Sequence, residues 1–125
     1  MHRGKIVFPT VVAALCILSA AHAVSQSPIP PARAKDHVGE RVVVCGQVAS
    51  THFAARSRGT PTFINLDKSY PNQIFTIVVW GSDRPKFGDP EQMYRDKRLC
   101  VTGKVSMYRG TPEIAAYEPS QIKTE

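Results

Sequence analysis

The sequence predicts an all-β fold: a five-stranded Greek-key barrel with one short helix between its third and fourth strands. Three observations carry this. Short runs of β-branched and aromatic residues recur between clusters of Gly, Pro and Asn, as strands joined by turns do. Glycine stands mid-run at matching places, Val44-Cys45-Gly46-Gln47-Val48 and Val101-Thr102-Gly103-Lys104-Val105, where a strand wrapped round a small core has to bend. A single helix signal, Asp89-Pro90 with Gln92 following, falls between the third and fourth runs. Composition agrees: 42% hydrophobic and 21% charged residues make a globular balance, and 10 Pro with 8 Gly exclude a coiled coil. At 125 residues the chain has room for one domain of ordinary size.

In chain order, Arg3 and Lys5 precede an apolar stretch over 6–18, and Ala21-His22-Ala23 is a small-x-small site of the kind a signal peptidase cuts. Residues 1–23 therefore read as a secretory signal. The apolar stretch is shorter than the ~20 residues a spanning helix needs, so no membrane anchor is expected after cleavage. Cys16 follows Leu15 rather than a small residue and is expected to leave with the leader. Residues 24–36, rich in Pro and Ser without period, should form a flexible linker ahead of a domain over 37–122.

Strand one is expected over 41–50, where β-branched residues dominate. A polar turn over 53–60 with Arg56, Arg58 and Gly59 leads to strand two, Thr62-Phe63-Ile64-Asn65-Leu66. After a turn at Pro71-Asn72, strand three covers 74–80, a continuous apolar run ending in Trp80. The helix should start at Asp89 and run to about Asp96. Strand four covers 97–107, and Tyr108-Arg109-Gly110-Thr111 turns into strand five over 112–117. The polar tail from Pro119 is expected to pack lightly.

Basic residues outnumber acidic ones 16 to 10, giving a formal charge of +6 and a pI near 9.5. The leader removes two of those cations, and the remaining excess fits an anionic partner without requiring one. Cys45 and Cys100 survive cleavage, and an even count after export reads as one disulfide. Without Cys-x-x-Cys or nearby His, a redox pair or metal site is not favoured.

Three strands, a short helix and two strands are also the order of the OB-fold. The segments 38–48, Phe63-Ile64-Asn65-Leu66, and 101–105 with Tyr108-Arg109-Gly110-Thr111-Pro112-Glu113-Ile114 resemble OB-fold nucleic-acid-binding domains related to the anticodon-binding domains of tRNA synthetases. The Phe75-to-Gly81 run with its Tyr70-Pro71-Asn72 lead-in resembles small exported proteins of that class. The resemblance implies that Phe63 and Asn65 face a ligand groove while Ile64 and Leu66 enter the core, which strand alternation permits. An outward Phe63 would stack on bases, although simple packing explains it equally well.

Of the two phases open to strand three, the one exposing Thr76, Val78 and Trp80 makes the better surface, with Trp80 either at the groove edge or in core or rim packing. Arg56, Arg58 and Arg109 would flank the groove on the first and last loops, where guanidinium forks suit phosphate oxygens. Tyr108 either stacks on ligand or staples its turn. Catalysis finds little support. His37 and His52 lack the companions of a triad or zinc site, and no calcium nuclease constellation can be placed.

The expected protein is thus an exported, non-enzymatic, monomeric binding module, periplasmic or secreted, with neither cofactor nor metal. Single-stranded nucleic acid or a similar anionic polymer is the first expected partner. The alternative is an envelope module that binds a small ligand or a protein.

Overall fold

A computed structural model describes residues 4, 5, 7, 9, 10 and 27–125, so the expected signal over 1–23 lies, apart from those five positions, outside the described residues. The strands are β1 (Arg41–Phe53), β2 (Thr62–Leu66), β3 (Thr76–Val79), β4 (Arg98–Tyr108), β5 (Thr111–Ala115) and β6 (Ile122–Thr124). Two single-turn helices, α1 (Arg84–Phe87) and α2 (Pro90–Met93), lie between β3 and β4. Among the described residues no helix is long and apolar enough to cross a membrane.

Strand alternation builds the core. Along β1 the side chains of Val42, Val44 and Val48 turn inward, and along β4 those of Leu99, Val101 and Val105 do the same. Ile64, Leu66, Phe75, Ile77 and Ile114, all fully buried, complete the cluster. Gly46 and Gly103 fall on the same inward rows, and the reason is close approach of a neighbour. A Cβ on Gly46 would lie 2.7 Å from Pro31 Cγ, and one on Gly103 would lie 2.5 Å from Ile114 Cγ2.

The sheet runs in the order β1-β2-β3-β5-β4-β6, with an additional β1–β4 pairing. All pairs are antiparallel except β3–β5. The length of β1 permits two partners: residues 41–47 pair with β4, and residues 48–53 pair with β2 across a bulge between Val48 and Ser50.

This architecture corrects the expected five-stranded barrel with a single helix. The sheet has six strands of mixed direction, and two short helices replace one. The expected helix over 89–96 shortens to α2, and α1 is an additional turn ahead of it, ended by Gly88 at φ +79°. The sixth strand escapes sequence reading because it is three residues long with one buried side chain, Ile122, yet it pairs with β4 at residues 99–101.

Two further differences concern the ends and the third strand. From Ile29 onward the expected linker is built into the fold: Ile29 N–H donates to Val43 O at 2.9 Å, Cys45 N–H donates to Ile29 O at 3.1 Å, and a 3-10 helix over Pro31–His37 buries Ala34. Strand β3 is shorter than expected and buried on both faces, so Val78 is not outward. Cys45 and Cys100 face each other across β1 and β4 and are joined as a disulfide.

Candidate functional site

The outer face of the sheet carries a cavity of about 610 Å³. Its wall starts from β1, where the bulge sends Ser50 and His52 toward it, and continues through Ala54 and Ser57 in the following loop. Phe63 and Asn65 come from β2 and Thr76 from β3. Tyr70 and Gln73 enter from the β2–β3 connection. The β4–β5 hairpin closes the other side with Tyr108, Arg109, Thr111 and Glu113.

A short relay fixes the floor. Thr76 Oγ1 donates to Asn65 Oδ1 at 2.7 Å, and Asn65 Nδ2 donates to Ser50 Oγ at 3.0 Å. Ser50 Oγ also accepts the Tyr70 N–H at 3.2 Å, which ties the β2–β3 connection to β1. Asn65 and Thr76 are buried, so these bonds are made away from most competing water and hold the amide in one orientation. Gln73 and Glu113 on the same wall have no such partners among the described residues. Gln73 Oε1 is buried and accepts no hydrogen bond. Glu113 is half-buried, and burial pushes its carboxyl above the ordinary value.

Beside the cavity a clasp anchors the segment between β3 and β4. Arg84 donates through Nη1 to Glu91 Oε2 and through Nη2 to Glu91 Oε1, both at 2.7 Å, and through Nη1 to Thr62 Oγ1 at 2.8 Å. Its guanidinium lies 3.6 Å from the centre of the Phe53 ring. The Glu91 carbonyl accepts from Thr51 Oγ1 at 2.7 Å, so α2 is held against the stretch of β1 that supplies Ser50 and His52.

Of the residues expected at a ligand groove, Phe63, Asn65, Tyr108 and Arg109 line this cavity, whereas Arg56, Arg58 and Trp80 do not. Trp80 is 41% exposed and stands beside Gly59, where an added Cβ would lie 3.0 Å from its ring. Arg109 stacks over Tyr108 at 5.3 Å. Sequence reading missed Tyr70, Gln73 and Glu113 as wall residues. Glu113 had a usable signal: on strand five it lies between Pro112 and Ile114, both buried, so it points to the face opposite the core. The two histidines are apart in role as well as sequence. His52 lines the cavity, while His37 Nδ1 lies 2.6 Å from Glu40 Oε2 on the surface.

Among the described residues, the one grouping of three potential metal ligands is Cys45, Cys100 and Glu125. Disulfide formation leaves no thiolate there, and the 3.2 Å approach of Glu125 Oε1 to Cys100 Sγ is a contact without a donated proton.

No protein-family profile matches the chain, and no curated protein matches it by sequence. Solved structures do match. An aspartyl-tRNA synthetase of Leishmania major, described as putative in its own structure, aligns with a TM-score of 0.50 at 15% identity, covering 86% of this chain and 22% of that one. The OBody AM1L10, solved bound to hen egg-white lysozyme, aligns with a TM-score of 0.50 at 20% identity over 71% of this chain and 81% of the OBody. The chain thus spans about a fifth of the synthetase. At these identities the likeness is one of fold: the chain is structurally similar to the OB-fold domains of tRNA synthetases and to OB-fold scaffold proteins.

Proposed function

We propose that the chain is an exported, non-catalytic binding module that takes a small organic ligand, or a side chain of a protein partner, in the cavity on the outer face of its sheet. The observation that carries this is the cavity's lining: three aromatic rings, a fixed polar floor and a volume of about 610 Å³, within the range of small-molecule sites. The OBody shows that a protein similar in fold can be found with a protein partner. A polyanion is the weaker reading for this face, because one of the three loop arginines reaches it and a carboxylate sits on the wall. Export is read from the leader, and a disulfide is in keeping with an oxidising compartment.

The test is a ligand screen read by amide chemical shifts, with labelled oligonucleotide titrated alongside at low and moderate salt. Shifts confined to the cavity strands and removed by Phe63→Ala support the reading. Oligonucleotide binding that falls steeply with salt and is weakened by Arg56→Ala would overturn it in favour of a polyanion partner. For export, intact-mass analysis of protein recovered from the envelope should find a chain beginning at Val24; an uncut chain starting at Met1 refutes it.

A further inference from the structure

The chemistry of the cavity wall narrows what it can hold. Its ionisable side chains are Glu113, Arg109, His52, Tyr70 and Tyr108. Arg109 stands over the Tyr108 ring, and no ion pair joins it to Glu113 among the described residues. Across the sheet, Glu113 is in register with Thr76 on β3 and with Ser106 on β4, both uncharged. Thr76 already donates its hydroxyl proton to Asn65. The Glu113 carboxyl therefore lies half out of water, on a concave surface, without a hydrogen bond or a counter-charge among the described residues. Gln73 on the same wall adds an unpartnered acceptor.

A carboxylate in that position costs free energy until a donor reaches it. The same cavity is lined by Phe63, Tyr70 and Tyr108, whose ring faces are electron-rich and attract cations, the Tyr108 ring already carrying Arg109. With Arg109, the wall's one arginine, engaged on Tyr108, the unpartnered acceptors, the carboxylate and the rings of Phe63 and Tyr70 share one occupant chemistry. Building on the small-ligand reading above, we propose that the cavity binds an organic cation: an ammonium or guanidinium group on an apolar stem, its head at Glu113 and its stem on Phe63 and the tyrosines. The same chemistry occurs in a free amine and in a lysine or arginine side chain of a partner.

Three probes of one shape test this on the full folded chain: phenethylammonium, phenethyl alcohol and hydrocinnamate, a cation, a neutral and an anion. Amide shifts around the cavity report where each binds, and titration gives affinity. The expected order is the cation first, and Glu113→Gln should weaken it about tenfold or more while leaving the alcohol unchanged. Glu118→Gln, on a carboxylate away from the cavity, should change nothing. An N-acetylated lysine peptide distinguishes the sources: tighter binding than the free amine assigns the cation to a protein partner, and weaker binding to a small molecule.

Equal binding of the three probes, or a cation preference that survives Glu113→Gln, overturns the cation assignment while the cavity remains a ligand site. If none of the probes shifts cavity residues, both the assignment and the underlying ligand reading fall.

Discussion

Replacing Arg84 with methionine tests whether the clasp beside the cavity stabilises the fold. Methionine keeps an apolar stem of similar length but removes both bonds to Glu91, the bond to Thr62 and the guanidinium over the Phe53 ring. The side chains of Arg84 and Glu91 are each 16% exposed, so the orphaned carboxylate regains little water. The bond to Asp89, whose side chain is 69% exposed, adds little. A carboxylate left part-buried without its donors costs roughly 2–3 kcal/mol, and for a domain of this size that corresponds to a fall in Tm of about 8–20 °C.

The pH dependence supplies an independent check. The hydrogen bonds from Arg84 hold the Glu91 carboxyl below its ordinary value. A depressed carboxylate contributes stability that is fully present above the unfolded-chain value and is lost as pH falls through the folded one. The Tm gap between wild type and Arg84→Met should therefore be constant near neutrality and narrow below about pH 4. Arg33→Met, which removes an ion pair to Asp36 between two exposed side chains, should leave Tm unchanged within error. Differential scanning calorimetry across pH reads all three. A loss under about 2 °C in Arg84→Met, or a gap that persists undiminished at pH 3, refutes the argument.

Binding of phenethylammonium should strengthen as pH rises through the raised range of Glu113, because the carboxyl must ionise to pair; His52→Gln removes the imidazole that also faces the cavity, and the profile should persist in that variant. Gly103→Ala places a methyl 2.5 Å from Ile114 Cγ2 in the fully buried core, and denaturant unfolding should show a loss of about 1–3 kcal/mol. Cys45→Ser with Cys100→Ser opens a loop of 55 residues and should lower stability by about 4 kcal/mol on the chain-entropy account, while wild-type protein unfolded without reductant should show neither of these thiols free.

Much of the strand pattern could be read from sequence, because β1 over 41–48 and β4 bury alternate side chains and their β-branched runs show it. The resemblance to OB-fold domains, with strand alternation permitting it, puts Phe63 and Asn65 on one face, and both line the cavity. What escaped depends on partners far away in the chain. Strand β6 has no period of its own and exists because the edge of β4 is free to receive it. The part of the Pro-rich segment from Ile29 on looks like a linker until Gly46 offers Pro31 a place to sit. The Arg84 clasp joins Phe53, Thr62 and Glu91, residues brought together by tertiary packing. Charge in a sequence carries no direction: Arg56 and Arg58 share a loop with Ser57, yet of the three it is Ser57 that lines the cavity.

The bridge between Ile29 and Val44 has a consequence for how copies of this chain meet. Strand borders with vacant amides invite a second molecule to dock alongside, the first step toward fibrils. Here the border of β1 around Val43 and Cys45 is already occupied, and the occupant is flanked by Pro28 and Pro30, which have no N–H to extend the ladder. The prolines act as a bookend: they let one residue pair and stop the row there. A chain shortened to begin after Pro31 would reopen that shelf and should self-associate at concentrations where the longer form stays dispersed.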